Sequence, residues 1–459
     1  MSQREITQLA EEAYIYGYPL VLMEVTRRVM TCASAPDPLA QKAPIGQFVH
    51  LRVTPTAASK DVEYPNVDIL YSLAWLDLSV EPMVLHVPDT HGTYYLMPIF
   101  DAWTEVVASL GKRTTGTRAG DFGIVGPGWS GPLPAALKQV TAPTNLVWII
   151  GRTQVKSPSD LSAAHAIQQG FHLKPLSAWR RLYTPPQVPV DTSIDVVTPP
   201  VDQVAHMDAA TFFRTFAVAL RTNPPHAADA QMVAQLERLG IIPGQSFDIA
   251  VLDATARRAL QQALPVAQEQ IQAEVSRIAS SVNGWMCGFG LGKYGTDYLR
   301  RAAVALSGPG ADLTADAFYP YAESDAMGEP LAGAGRYVLH FAPHRTPPVV
   351  GFWSLTMYGS DHLFVDNPIN RYALGNRDAL HFNPDGSLDI TIQHDEPGLD
   401  KRGNWLPAPI GDFSLILRMY WPKPEVLNRA WTPPTIEQVP WVLPSPHYMQ
   451  PSVEAEHST

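Results

Sequence analysis

Proline occupies 43 of the 459 positions, about 9 % where about 5 % is usual. Inside a helix each proline removes a hydrogen bond and crowds the preceding turn, and inside a sheet it interrupts the ladder. A chain this rich in proline must therefore be built largely from short strands, turns and ordered loops. Charged residues make up 17 % and apolar residues 46 %, which excludes a disordered chain and a coiled coil. The 44 acidic and 33 basic residues give a net charge of −11. Lys and Arg are dispersed, so there is no basic footprint for nucleic acid. No run of 18 apolar residues predicts a membrane span. The stretch Met1–Glu12 carries Arg4, Glu5, Glu11 and Glu12 and lacks the apolar centre of a secretory signal, so a cytoplasmic location is expected. Cys32 and Cys287 are expected to be single buried thiols rather than a staple.

Apolar spacing predicts a helix over residues 5–30, with Pro19 breaking or kinking its middle. From 61 to 151 the pattern turns to short apolar runs between turn signals. Strands are predicted at 70–78, 83–87, 94–99, 123–125 and 146–150. Residues 158–183 return to a helical pattern, and the five prolines of 185–200 predict an extended surface connector. Helices are predicted at 209–221, 227–239 and 256–282, then strands at 338–341, 349–358, 389–392 and 413–420. The expected architecture is α+β: two antiparallel β-rich lobes, sandwich- or barrel-like, bridged by helices and preceded by one. The corresponding divisions are 1–184, 185–310 and 311–459.

Several patterns resemble catalytic motifs without their context. Gly290-Leu291-Gly292-Lys293-Tyr294-Gly295 satisfies G-x-G-x-x-G, but a dinucleotide site needs that loop inside a βαβ unit. A helix C-cap running into a glycine turn is the expected structure here. Gly126–Gly131 lacks the glycine spacing of a nucleophile elbow. The histidines have no metal-binding spacing, so no metal site is assigned from local pattern, and the cofactor is left open.

Four stretches are more distinctive. They are Ala13-Tyr14-Ile15-Tyr16-Gly17-Tyr18-Pro19-Leu20; Glu63-Tyr64-Pro65-Asn66-Val67-Asp68-Ile69-Leu70-Tyr71-Ser72; Phe352-Trp353-Ser354-Leu355-Thr356-Met357-Tyr358; and Asn404-Trp405-Leu406-Pro407-Ala408-Pro409 with Arg418-Met419-Tyr420-Trp421-Pro422. Together, over roughly residues 10–435, the chain resembles the bacterial family joining the domains of unknown function numbered twelve-fifty-four (N-terminal) and twelve-fourteen (C-terminal). The resemblance implies two β-rich lobes with a helical part between them, and it carries no catalytic residue. Many members have export signals, unlike this chain as read above. The family usually has Asp-Thr where this chain has Asp68-Ile69, so one hydroxyl is missing.

Read physically, Glu63, Tyr64, Asn66, Asp68 and Tyr71 form a polar cluster at a loop-to-strand junction. Pro65 is expected to hold Tyr64 extended. Two carboxylates beside a phenol suit general acid–base work if burial separates their pKa values, and the same residues also suit the tying of a loop. Asp101 and Trp103 form a second candidate pair, a carboxylate beside an aromatic floor. In the C-terminal part, Trp353, Ser354, Thr356 and Tyr358 are expected on a polar or aromatic strand face opposite Leu355 and Met357. Arg371 offers a fork for a carboxylate or phosphate, or for locking its loop, and Trp405 lies on a rigid loop fit either to close over a cleft or to cap the lobe. Arg301 is expected to be internal and paired. The leading expectation is an enzyme acting on a small polar or ring-containing molecule by acid–base or hydrolytic chemistry. Asp68, Glu63 and Asp101 would move protons, with Tyr71 and Tyr358 as donors. Tyr64, Asn66, Trp103, Trp353, Arg371 and Trp405 would help bind the substrate. A non-catalytic small-molecule-binding or assembly protein is the alternative, and a homo-oligomer is expected in either case.

Overall fold

A computed structural model describes residues 2–60 and 62–440; the last part of the expected division 311–459, from 441 on, lies outside the described residues. The fold is α+β, with two β-rich lobes linked by helices and a helix in front. In the first lobe, strands Val49–His50, Ile69–Asp77, Leu146–Gln154, Tyr95–Asp101 and Val106–Gly111 form a five-stranded sheet in that order. A four-stranded sheet of Lys138–Thr141, Gly120–Val125, Met83–Val87 and His172–Pro175 packs on it. Ala74, Leu76, Met97 and Ile149 from one sheet meet Leu85, Phe122 and Ile124 from the other in a shared core. The second lobe repeats the two-layer plan. A seven-stranded sheet centred on Val349–Gly359 and Phe413–Pro422 packs on a four-stranded one built around Tyr337–Phe341 and Leu388–Gln393. Most pairings are antiparallel, as expected, but Gly120–Val125 with Lys138–Thr141 and Leu388–Gln393 with Trp405–Pro407 are parallel.

Side-chain alternation gives the five-stranded sheet a second buried face. On that face Leu73, Trp75, Trp148 and Ile150 pack against the helices, with Trp75 stacked on the directly opposite Trp148 at 4.8 Å. The helix Gln3–Thr31 lies over this face and runs unbroken through Pro19. Burial of nearly every side chain between Ala13 and Met23 outweighs the lost backbone bond. Gly17 is fixed by the same packing, because a Cβ there would lie 3.0 Å from the Phe216 ring.

Two helical predictions are corrected. After the helix Leu161–Gly170, residues His172–Pro175 form a strand that completes the four-stranded sheet. The helix Ala254–Val275 stops short of 282, and a hairpin of Ser280–Val282 and Trp285–Cys287 follows. The glycine motif therefore follows a strand rather than capping a helix. Its loop is clamped to the first lobe: Glu105 accepts hydrogen bonds from the Tyr294 and Gly295 amides, and Val106 donates to the Gly292 carbonyl. Cys287 is buried, whereas Cys32 is only partly so.

Gly292 has φ +78°, and a Cβ there would lie 2.9 Å from the Ala311 carbonyl and 3.1 Å from the Leu313 amide. Gly292→Ala is expected to lower stability by about 1–3 kcal/mol, read as a shifted urea midpoint with unchanged slope. An unshifted midpoint would show that this clamp is not needed.

Candidate functional site

The two large sheets expose unlike faces to one another where the lobes meet. In the first lobe the alternation that points Leu73 and Trp75 at the helices carries on to Ile69 and Tyr71, with Arg152 directly opposite Tyr71 on the next strand. In the second lobe, Phe352, Ser354 and Tyr358 share one face and stand opposite Tyr420, Arg418 and Ser414. Trp353 points the other way, into the sandwich core with Leu355, Met357 and Phe341. It is therefore not on the polar strand face where it was expected.

Between these faces the chain buries a network of charges and phenols. Asp68, wholly buried, accepts from the Ser354 hydroxyl at 2.5 Å and from the Arg377 guanidinium. Arg377 also donates to the Val155 carbonyl and lies over the Phe352 ring. Asn66 donates to the Tyr420 hydroxyl at 2.8 Å, and its own side-chain oxygen accepts from the Asp68 amide at 2.8 Å. Tyr358 donates to the Pro65 carbonyl at 2.8 Å and accepts from Arg418 at 2.6 Å. Arg418 also donates to the Tyr64 carbonyl at 3.0 Å. Tyr64 is not extended but has φ +50°; its amide donates to the His362 carbonyl, and its ring stacks on His362 at 4.6 Å. Contacts from the second lobe override the usual preference of a residue before proline.

Deeper in the junction, Arg152 lies 3.0 Å from Asp312, and Arg113 pairs with Asp316 at 2.6 Å. Both Asp312 oxygens and the Arg418 Nε have no hydrogen-bond partner among the described residues. Burial pushes the Asp312 carboxyl up to about 6; Arg152 opposes that shift and Asp316 adds to it. Burial likewise raises the Tyr319 and Tyr420 phenols, yet Tyr319 and Tyr71 keep part of their accessible surface. Only Tyr319 combines a deeply buried hydroxyl with a partly accessible ring, since Tyr420 has no accessible surface. The Arg152 guanidinium lies over the Tyr71 ring at 5.8 Å and that of Arg418 over the Tyr319 ring at 5.3 Å. On the Arg377 side a cleft of about 890 Å³ opens between the lobes, lined by Lys156, Asp366, Arg371, Tyr372 and Asp378 among others.

Tyr64, Asn66, Asp68, Tyr71 and Tyr358 thus meet at the lobe junction. Arg371 lines the cleft, and its Nη1 locks a loop by donating to the carbonyls of Arg402, Gly403 and Trp405. Trp405 is interior, donating to the Gln393 carbonyl, and Glu63 is exposed. Asp101 and Trp103 lie elsewhere, at the far end of the strand Tyr95–Asp101, roughly 20 Å along at about 3.3 Å per residue. Arg152, Asp312, Tyr319 and Arg377 were not anticipated, and Arg418 and Tyr420 appeared only within a family motif. For Arg152 and Arg418 a signal exists: each is the lone charged residue of its strand. Among the described residues no group of three or more His, Cys, Asp or Glu side chains could hold a metal ion.

At the distant end, Asp101 accepts from His226 at 2.6 Å and from the amides of Trp103 and Glu105. Beside them Arg301 is fully buried, with no hydrogen-bond partner on any side-chain nitrogen. Its guanidinium is held instead over the rings of Trp103, Tyr298 and Tyr16, at 4.9, 5.2 and 5.3 Å. The expected pairing of Arg301 is thus a cation–π cage. Tyr16 and Tyr298 in turn donate to Asp229. Arg301, Tyr16 and Trp103 have no accessible surface, while Tyr298 keeps part of its own.

Residues 45–175 match the family described as protein of unknown function (DUF1254), and residues 316–424 match that described as protein of unknown function (DUF1214). The VPA0106 protein from Vibrio parahaemolyticus has a similar crystal structure. Its TM-score is 0.73 at 24 % identity, over 95 % of this chain and all of that one. An uncharacterized protein from Burkholderia cenocepacia aligns at a TM-score of 0.45 and 13 % identity, over 95 % of this chain and 94 % of that one. No curated protein matches. Among the described residues no helix is long and apolar enough to cross a membrane.

Burial lowers the pKa of His226, but the bond to Asp101 and the nearby Glu105 outweigh both burial and the Arg301 charge, and the net shift is upward. The stability this gives is full below about 6.5, the ordinary histidine value, and is lost as pH rises through the raised folded value. His226→Gln is therefore expected to flatten the fall in Tm above that pH. An unchanged slope of Tm against pH would remove His226 as its source.

Proposed function

The chain belongs to the family that joins DUF1254 to DUF1214, and we propose that its lobe junction is the active site of an enzyme acting on a small polar or ring-bearing molecule by acid–base or hydrolytic chemistry. The observation that carries this reading is the convergence of the Arg152 and Arg418 charges on Tyr71, Tyr319 and Tyr420, with Asp312 beside them lacking a hydrogen-bond partner among the described residues. Buried charges left this incompletely bonded are costly unless a ligand or water completes them. A carboxyl with a pKa of about 6 is suited to both giving and taking a proton near neutrality. In this reading Asp312 moves the proton, and the guanidinium and phenol groups hold charge that develops on the substrate. Asp68 acts differently from the first expectation: both its oxygens are engaged, so it positions Ser354 and Arg377. The cleft beside Arg377 supplies the approach. A cytoplasmic location and a homo-oligomer are part of the same proposal. Trp353 and Trp405, interior to their lobe, lend no support to a subunit-contact role.

The test is turnover. Purified protein is incubated with a defined mixture of small carboxylic acids, esters and ring-bearing compounds, and depletion is followed by mass spectrometry. At least one compound should be consumed with a rate limb near pH 6, and Asp312→Asn should slow it about 10²–10⁴-fold and abolish the limb. Either an inert wild type or an equally active variant would overturn the assignment.

A further inference from the structure

The lobe junction holds four guanidinium groups, Arg152 and Arg418 buried and Arg113 and Arg377 partly so, and three buried carboxylates. Arg113 pairs with Asp316, Arg152 with Asp312 and Arg377 with Asp68. Arg418 is the fourth. It is 6 % exposed, and among the described residues no carboxylate oxygen lies within 4.0 Å of it. Its Nη2 donates to neutral oxygens, the Tyr64 carbonyl and the Tyr358 hydroxyl, and its Nε donates to nothing. One positive charge in this cluster is therefore without a counter-ion. A buried ion in that state is strongly disfavoured, and an arginine cannot relieve it by losing its proton.

Arg301 shows why Arg418 calls for a ligand when another unpaired arginine does not. The Arg301 guanidinium is enclosed by three rings at 4.9, 5.2 and 5.3 Å, two of which, Trp103 and Tyr16, have no accessible surface. Arg418 lies over only two, Tyr319 at 5.3 Å and Tyr358 at 6.0 Å, and Tyr319 retains accessible surface, as does Tyr71 in the same aromatic cluster. The two sites differ in how fully rings close around the charge.

Resting on the active-site assignment above, we propose that the substrate is a small monoanionic carboxylate with a planar, unsaturated or ring-shaped body, its carboxylate pairing with Arg418. One negative charge completes the count, whereas a dianion would leave an excess charge buried. A guanidinium edge matches a carboxylate in shape and donor spacing. The walls explain the planar body: Tyr71, Tyr319, Tyr420 and Phe352 are aromatic, and Phe352 stacks on Tyr420 at 4.2 Å.

Benzoate, neutral benzamide and inorganic phosphate are titrated by calorimetry into wild type, Arg418→Gln, Arg418→Lys and Asp312→Asn. Benzoate should bind wild type saturably and at least tenfold tighter than benzamide or phosphate. Arg418→Gln should lose at least tenfold in benzoate affinity without change for benzamide, Arg418→Lys should recover part of the loss, and Asp312→Asn should still bind benzoate. Equal affinity for benzoate and benzamide, no benzoate binding, or an unaffected Arg418→Gln overturns the proposal. If Arg418→Gln does not fold, the wild-type ratio of benzoate to benzamide decides alone. The two assignments fail separately: benzamide binding as well as benzoate removes the anion and leaves the site, whereas turnover surviving in Asp312→Asn removes the proton-transfer role and leaves the anion.

Discussion

Charge buried between two lobes obliges each lobe to supply what the other lacks. Asp68 enters from the first lobe and finds Ser354 and Arg377 on the second; Arg113 leaves the first lobe to meet Asp316 at the start of the second. Removing one partner of such a pair costs about 3–5 kcal/mol, because the other is left charged and dry. Neither large sheet can therefore leave its polar face unmatched, and docking of the lobes is part of folding rather than a later association. The phenols extend this dependence. Tyr358 reaches the Pro65 carbonyl and Tyr420 receives Asn66, so the loop before the strand Ile69–Asp77 takes its shape from the opposite lobe.

The same dependence explains what was legible in the sequence. The strands at 70–78, 83–87, 146–150, 349–358 and 413–420 were legible because alternation and turn residues are local signals, and the family motifs fell on the strands that meet. The misjudged segments are those governed by distant contacts. His172–Pro175 is a strand because Met83–Val87 offers it an edge, and Tyr64 takes a positive φ because His362 and Arg418 hold its backbone. A strand also has period two, so an error of one residue reverses a side chain. Trp353 was grouped with Ser354 and Tyr358, and the structure turns it into the core with Leu355. The site itself could not be assembled from local pattern. Asp68 and Arg377 are 309 residues apart, and Asp312 lies in a loop with no pattern at all.

Two buried arginines show how one chemical group takes opposite roles in a single fold. Arg301 is a fixed part of the helix–sheet contact. Its charge faces the rings of Tyr16, Trp103 and Tyr298, an interaction worth about 2 kcal/mol or more when desolvated, and Asp229 tethers two of those rings from behind. Those residues account for Tyr16 of the first motif and for Trp103 without invoking chemistry. Arg418 lies in a strand interior opposite Ser354, where an apolar residue would be the stable choice. It lies over only two rings, Tyr319 and Tyr358, and of the nearby phenols Tyr319 and Tyr71 keep accessible surface. Stability alone therefore explains the first arginine, whereas the second fixes Tyr64 and Tyr358 through neutral oxygens and has no counter-ion for its charge among the described residues. A site that holds a cation ready for an incoming anion must accept that cost in the empty state, because the interaction is useful only if it is unmade until the ligand arrives.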